Sequence, residues 1–308
     1  MRATTEPHAV SSGSSRGGLL ALLLGALALA LMATAGASPP SAGGDLAQTG
    51  EVVIGVSGET VPGKLPRSRM APVTLRLGFT SETPNTPTTP ELTAIRLEVS
   101  RNIAFHTAGL PSCPIAELYS ESSDTGQVCA GSLVGHGTVI SEVSLPGQAP
   151  ATIEGHLSAF YDLGDGQPRI LAQVTSAGAL PLTYVIPFTI EKTRGVYGTI
   201  LYVHQMQRIA GICRRGHPNC FSQTYTYKGI YGHISKFELT LDRQFAHAGK
   251  RTSVVSADCP ARKGTSSASF PLVNVDLAYP YPNAISRSQV ATRRCEVSAP
   301  RRVRRKRS

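Results

Sequence analysis

Apolar and polar residues alternate with a period of two along several parts of this chain. The stretches 73–79, 95–99, 237–241 and 273–277 place apolar residues at every second position, with polar or small residues between them. A strand of an antiparallel sheet has this pattern when one face is buried and the other faces water. The alternation therefore predicts four half-buried strands.

Apolar content and intervening turn residues predict further strands. We expect these at 52–57, 132–145, 152–162, 169–176, 182–190, 195–204, 226–234, 252–257 and 288–297.

Turn residues and prolines indicate how some of these strands are connected. Asp165-Gly166 is typical of a two-residue hairpin turn between neighbouring strands. Residues 81–91 hold three prolines and several hydroxyls, so we expect a surface loop there. Pro181 and Pro187 lie in an apolar stretch, and proline cannot donate to a sheet ladder. That stretch should therefore be an edge strand or contain a bulge.

Sustained helical periodicity with capping residues is absent from the sequence. Many short strands separated by turns are typical of sandwiches and barrels. We therefore predict an all-β fold with little helix, an antiparallel β-sandwich or distorted barrel, formed as a single domain by residues 51–299.

The N-terminus has the three parts of a secretory signal peptide. Arg2 and Arg16 precede an apolar run at 19–33, and small residues follow up to Ala37. We predict a cleaved signal peptide at 1–37, followed by a flexible linker at 38–50. The alternative is an uncleaved membrane anchor, although the run holds about 15 apolar residues and a spanning helix needs about 20.

Six cysteines, an even number, suggest disulfides in an exported chain. Six cysteines allow 15 pairings, and the sequence alone does not choose among them. Proximity along the chain favours Cys113 with Cys129, Cys213 with Cys220 and Cys259 with Cys295. No C-x2-C pair is present, so the cysteines do not suggest a zinc site.

The net charge of +10 is concentrated at the C-terminus. Residues 300–308 form a basic tail that we predict to be disordered. Six of the ten charges belong to it, and the leader adds one, which leaves about +3 for the rest of the chain. Such a tail can bind anionic cell-wall polymer or lipid headgroups, whereas the export signal argues against nucleic acid. The tail cations are Arg301, Arg302, Arg304, Arg305, Lys306 and Arg307.

Several stretches between residues 64 and 297 carry a family resemblance. They include KLPRSRMAPVTLRLGF (64–79), CAGSLVGHGTV (129–139) and GHLSAFYDLGDGQPRILAQV (155–174). In them the chain resembles a group of secreted proteins of high-GC soil bacteria that are usually labelled hypothetical. The resemblance implies a secreted domain with disulfides 113–129 and 259–295, and it implies no activity or ligand. The insertion that carries Cys213 and Cys220 and the basic tail depart from that group.

Carboxylates in the strand region raise the alternative of a hydrolase acting on an extracellular polymer such as a glycan. Glu142, Glu154, Asp162 and Asp165 are the candidates, because glycoside hydrolysis needs two carboxyl groups about 5–10 Å apart across a cleft. Asp165 is equally explained as a turn residue, and the chain has no tryptophan to bind a sugar ring. We therefore assign no catalytic residue.

Histidines in the predicted strands could converge on a metal, but no H-x-H pair is present. Structural or solvated histidines explain the pattern better, so we predict no metal and no cofactor. The histidines considered are His136, His156, His204 and His233.

Tyrosines near residue 228 suggest a ligand-binding face. Tyr225, Tyr227 and Tyr231 share parity, so an unbroken strand would place them on one face, with Lys228 nearby. Tyr197 and Tyr202 could extend the group, although all of these tyrosines could equally fill an interior layer.

Taken together, these patterns favour a non-enzymatic structural or binding module that acts outside the cytoplasm at the cell envelope.

Overall fold

A computed structural model of the chain describes residues 46–49, 52–84, 92–119, 125–144, 151–176, 183–206, 231–279 and 285–298. Strands dominate these residues and confirm the predicted all-β class. Helix is confined to a 3-10 segment at Ile115–Tyr119, one α-helical turn at Thr125–Val128 and a 3-10 turn at Ala130–Ser132. Within the described ranges, no helix has the length and apolar content required to cross a membrane.

The strands are numbered in chain order. They are β1 (Leu46–Thr49), β2 (Val52–Val61), β3 (Lys64–Leu65), β4 (Ala71–Pro72), β5 (Thr74–Glu82), β6 (Ala94–Ser100), β7 (Ile103–Phe105), β8 (Leu133–Ser144), β9 (Ala151–Gly164), β10 (Gln167–Thr175), β11 (Thr183–Lys192), β12 (Tyr197–Val203), β13 (Tyr231–Leu241), β14 (Gln244–His247), β15 (Lys250–Ser253), β16 (Val255–Ala257), β17 (Ser267–Tyr279) and β18 (Ile285–Val297).

Thirteen of these strands form one sheet, in the order β1-β2-β5-β13-β8-β9-β10-β11-β12-β6-β17-β18-β3. Every neighbouring pair is antiparallel except β18 and β3, which are parallel. Strands β4, β16 and β7 form a small second sheet, and β14 with β15 forms a separate hairpin. The fold is therefore built mainly from a single large sheet that curls on itself.

The two ends of the strand order lie next to each other, so the sheet is nearly a closed barrel. Strand β3 follows β2 after only Pro62 and Gly63, yet it pairs with β18 at the opposite end of the order. Gly58 of β2 lies close to Leu272 of β17, near the other end of the strand order. An added Cβ at Gly58 would lie 2.5 Å from a methyl carbon of Leu272. We call the junction between β2 and β18 the seam.

The strands with strict alternation bury one face in the interior, as predicted. In β5, Leu75, Leu77 and Phe79 are buried, whereas Arg76 between them is exposed. The interior is filled where Phe79 stacks on Phe237 at a ring-centroid distance of 5.4 Å. Phe188 of β11 completes this contact at 5.6 Å from Phe237, so opposite walls of the sheet meet there. Burial of these large side chains is the main stabilising term for such a core.

Turn chemistry at residues 165 and 166 is confirmed. Asp165 and Gly166 have φ values of 52° and 76°, and they connect β9 and β10 as a tight hairpin. A second hairpin of this kind joins β14 and β15 through Ala248 and Gly249, with φ values of 49° and 72°. The sequence did not predict it, because alanine is not a residue expected at positive φ.

The proline-bearing strand β11, predicted to be an edge strand or to contain a bulge, lies inside the sheet order between β10 and β12. Among the described residues, its first part pairs with β10 alone, and pairing with β12 begins at Thr189. The N–H of Val185 points away from β10 and donates to the hydroxyl of Tyr119 at 3.0 Å. Pro187 lies two residues further along the same edge, so its missing N–H leaves the ladder to β10 intact.

Both disulfides within the described residues match the predicted pairs. Cys259 and Cys295 belong to the main core, with a Cα–Cα distance of 5.8 Å. Cys113 and Cys129 have a Cα–Cα distance of 5.5 Å and belong to a smaller apolar cluster on the outer side of the sheet, which includes Phe160. Cys213 and Cys220 lie outside the described residues.

Four residues of the segment predicted as a linker form β1. Leu46–Thr49 pair antiparallel with Val52–Gly55 of β2. The remaining residues of that segment, the predicted signal peptide and the basic tail lie outside the described residues.

Candidate binding surface

One end of the barrel is built from three chain segments that backbone hydrogen bonds tie together. The N–H of Glu296 donates to the carbonyl oxygen of Gly63 at 3.0 Å, and the N–H of Cys259 donates to that of Pro66 at 2.9 Å. The N–H of Val297 donates to the carbonyl oxygen of Ser266 at 2.8 Å. The Cys259–Cys295 disulfide links two of the same segments covalently. Residues 63–69, 258–266 and 293–298 therefore form one fixed unit.

Two neighbouring turns extend this end. The side-chain amide of Asn102 donates to a carboxylate oxygen of Asp258 at 2.7 Å, which joins the turn after β6 to the segment at 258–266. The N–H of Arg101 donates to the carbonyl oxygen of Val196 at 3.0 Å, which adds the turn between β11 and β12.

These five segments carry an excess of positive charge. Their carboxylates are engaged: Asp258 accepts from Asn102, and Glu296 forms an exposed ion pair with Lys64 at 3.4 Å. Of the remaining cations, six are exposed, and Arg67 and Arg293 are half-buried. We call the six exposed cations together with Arg67 the basic end, and its members are Arg67, Arg69, Arg101, Arg194, Arg262, Lys263 and Arg294.

Arg67 shows how a cation of the basic end is held. Its Nη2 atom donates to the carbonyl oxygen of Thr265 at 2.6 Å, so the guanidinium crosses from one segment to another. Arg294 is similarly anchored, since its Nη2 donates to the hydroxyl of Ser267 at 3.0 Å. These contacts fix two charges on backbone that is itself cross-linked.

The opposite end of the barrel has polar side chains in its interior. The hydroxyls of Tyr279 and Ser81 lie 2.6 Å apart, and those of Tyr184 and Ser141 lie 3.1 Å apart. The Nε2 atom of His233 lies 3.4 Å from the carbonyl oxygen of Ser81. We call these five residues the tyrosine layer.

Burial controls the ionisation of the tyrosine layer. Burial raises the pKa of both Tyr184 and Tyr279 to about 12, against an ordinary value of 10.0, although the hydrogen bond that each shares with a serine lowers the pKa in part. Tyr184 and Ser141 connect strands that are three places apart in the sheet order, and Tyr279 and Ser81 connect β17 with β5 across the seam. The layer therefore ties walls of the barrel together from within.

The carboxylates considered for hydrolysis are separated into two groups. Asp162 is buried, forms a salt bridge with Arg169 and accepts a hydrogen bond from the hydroxyl of Ser112 at 2.7 Å. Asp165 occupies the hairpin turn. Glu154 lies eight residues before Asp162 on β9, which corresponds to about 27 Å along a strand.

Glu142 and Glu154 lie on the outer wall of the sheet. The register pairs Glu154 with Ile140, so Glu142 is its diagonal neighbour on the adjacent strand. Asp162 belongs instead to the network that holds the Cys113 loop on the sheet, since the N–H of Leu163 donates to the same Ser112 hydroxyl at 2.9 Å. These contacts explain Asp162 as a structural residue.

The four candidate histidines occupy separate environments. His136 lies 3.9 Å from a carboxylate oxygen of Asp242, and His204 lies 3.5 Å from one of Glu191. His156 is exposed and His233 is buried. In the part of the chain that the structure describes, no group of three or more His, Cys, Asp or Glu side chains is placed to hold a metal ion.

The predicted tyrosine face falls largely outside the described residues. Tyr225, Tyr227 and Lys228 lie in the undescribed stretch before β13, and Tyr231 is described by its backbone alone as the first residue of that strand.

The two further tyrosines of that prediction are on the outer wall. Tyr202 packs on the His204 ring at 4.0 Å, with the Arg96 guanidinium 5.9 Å from its centroid. Burial and the charge of Glu98 raise the pKa of Tyr197. Both side chains thus take part in the polar network of the wall.

Sequence reasoning missed the basic end because its cations come from five separated segments. Arg67-x-Arg69, Arg262-Lys263 and Arg293-Arg294 are the short basic groups that the sequence does offer as a signal. Comparison with known proteins adds no information on the surface, since no family model matches the chain and no curated protein matches its sequence.

Proposed function

We propose that this protein is secreted and acts as a non-enzymatic structural or binding module at the cell envelope. The sequence supports export through the signal-peptide pattern at 1–37. The two disulfides of the described domain are compatible with an extracellular protein, because disulfides persist in oxidising compartments.

A binding role fits the described residues better than a hydrolytic one. Asp162, the most buried of the candidate acids, is neutralised by Arg169 and holds the Cys113 loop. Phe79, Phe188 and Phe237 fill the interior between opposite walls. Apart from the tyrosine layer, the polar side chains described above lie on the outside of the barrel.

The proposed partner is an anionic polymer of the envelope, and the observation that carries this proposal is the position where the tail begins. Ser298, the last described residue, donates its N–H to the carbonyl oxygen of Leu65 at 2.8 Å. This bond holds the last described residue beside Leu65, two positions before Arg67 of the basic end. The six cations of the tail follow Ser298 in the sequence, and their charge has the same sign as that of the basic end.

Binding to purified cell-envelope material tests this proposal. We expect the chain starting at Ser38 to be retained at low salt and released as salt rises, because such attachment is electrostatic. Failure of retention at low salt would refute the proposal. The alternative, a hydrolase of an extracellular polymer such as a glycan, predicts instead that soluble fragments appear in the supernatant.

A further inference from the structure

We propose that the basic end of the folded domain is itself a binding surface for a linear phosphate-bearing polymer, independently of the tail. This inference rests on the proposed function, which locates the protein among the anionic polymers of the envelope. It goes further by assigning the binding to specific residues of the barrel and by naming phosphate as the group recognised.

The first argument is the contrast between the basic end and the wall of the barrel. Several cations of the wall are matched with carboxylates, namely Arg76 with Glu59 at 3.1 Å and Lys236 with Glu238 at 2.9 Å, whereas Arg287 and Arg293 of β18 donate to backbone carbonyl oxygens. Arg96 is likewise paired, with Glu98 at 2.9 Å. Among the described residues, none of the seven cations of the basic end forms an ion pair. A polyanion there would gain favourable contacts without first breaking internal salt bridges.

Second, the segments that carry most of the basic end are preorganised. The segments at 63–69, 258–266 and 293–298 are joined by the backbone hydrogen bonds given above and by the Cys259–Cys295 disulfide. Charges on a fixed scaffold lose less conformational entropy on binding than charges on a free chain. The domain should therefore contribute affinity of its own, beyond the general attraction exerted by the tail.

The third argument is the chemistry of the cations. Six of the seven are arginines, and Lys263 is the exception. A guanidinium presents a planar set of N–H donors that matches phosphate oxygens in a bidentate manner. Distribution over five segments suits a chain of repeated phosphates better than one compact anion. A phosphodiester polymer is therefore the partner class that the surface fits.

A test separates the domain from the tail in a full-length background. The starting protein is the chain from Ser38 with all six tail cations replaced by glutamine. Into it we introduce the triple reversal Arg69→Glu, Arg262→Glu and Lys263→Glu. The matched control, Arg76→Glu, Arg96→Glu and Lys236→Glu, changes the net charge equally on the wall. Thermal unfolding of each variant verifies that it is folded.

The probe is poly(glycerol phosphate), and affinity is measured as a function of NaCl concentration. We expect the tail-neutralised chain to bind and the basic-end reversal to weaken binding at least about tenfold. The salt slope should fall by about 2, because each phosphate contact with a single-stranded polyanion contributes about 0.7. The wall control should keep both the affinity and the slope of the tail-neutralised chain.

Four outcomes would overturn the inference. If the intact chain binds and the tail-neutralised chain does not, the tail alone attaches the protein, and the proposed function survives without this surface. Equal losses in the basic-end variant and the wall control would show that net charge rather than position matters. Equal binding of polyglutamate would show that the surface does not distinguish phosphate from carboxylate. Absence of binding by every variant and by the intact chain would refute both proposals.

Discussion

The two ends of this barrel close the same sheet by different physical means. At the basic end, the pairing of β3 with β18 joins the chain that follows β2 to β18, and the Cys259–Cys295 disulfide links β18 to the segment at 258–266. At the other end, the side-chain hydrogen bond between Tyr279 and Ser81 connects the walls from inside. Where backbone hydrogen bonds and a disulfide hold the end of the barrel together, polar side chains can face water. Where side-chain hydrogen bonds hold it together, those polar groups point into the interior. The comparison teaches that the basic end is the one equipped to meet a partner.

Loss of the Cys259–Cys295 disulfide should have the largest effect on stability. Replacing both Cys259 and Cys295 by alanine should lower the free energy of unfolding by about 4 kcal/mol, as expected for a disulfide spanning a loop of this length. Urea unfolding measures this change. The Cys113–Cys129 disulfide closes a shorter loop on the outer cluster. The matched variant that lacks Cys113 and Cys129 should therefore lose about 3 kcal/mol of unfolding free energy. Equal stability with and without Cys259–Cys295 would contradict the assigned role of the disulfide.

Alkaline pH should weaken the tyrosine end next most strongly. The folded pKa of Tyr279 is raised to about 12, so the unfolded chain releases this proton first. Its stabilising contribution is therefore complete below pH 10 and declines as pH rises through 12. The shift corresponds to about 3 kcal/mol. Unfolding free energies measured between these pH values should fall less steeply in Tyr279→Phe than in the unaltered protein, and parallel curves would argue against the buried phenol.

Removing the Tyr279 hydroxyl at neutral pH should have a smaller effect. Tyr279→Phe leaves the buried Ser81 hydroxyl without this partner, which should destabilise the fold by about 1–2 kcal/mol. Tyr202→Phe on the outer wall is the matched control and should change stability little. A double-mutant cycle with Ser81→Ala isolates the pair, and a coupling energy near zero would show that the bond does not hold the seam.

An exposed wall pair should have the smallest effect. Arg76 and Glu59 form a salt bridge in which both side chains are more than half exposed. Arg76→Ala should therefore change stability by no more than about 0.5 kcal/mol. If Arg76→Ala lowered stability as much as Tyr279→Phe, exposed wall charges would also help to hold the barrel closed, and this would contradict the contrast between the two ends.

Local patterns in the sequence were sufficient for individual strands and turns. Alternation predicted β5 and β17, and Asp165-Gly166 predicted the hairpin between β9 and β10, because each signal lies within a few consecutive residues. Proximity also predicted both described disulfides. The strand and turn signals depend on the stereochemistry of a few consecutive residues, which the sequence shows directly.

Long-range pairing could not be predicted in the same way. Nothing in the two-residue sequence of β3 indicates parallel pairing with β18, and Tyr279 and Ser81 are separated by 198 positions along the chain. The basic end could not be predicted for the same reason, since the segments that carry Arg67 and Arg294 are joined by long-range backbone pairing. A surface whose residues come from several separate segments depends on how the strands pair, and the local sequence pattern does not show it.

Hydrogen exchange with and without poly(glycerol phosphate) tests the central claim most directly, because it reports where on the chain a polyanion binds. The account predicts slower exchange at residues 63–69 and 258–266, with the tyrosine end and the wall unchanged. Protection centred on the tyrosine end or the wall, or no protection of the folded domain at all, would contradict it.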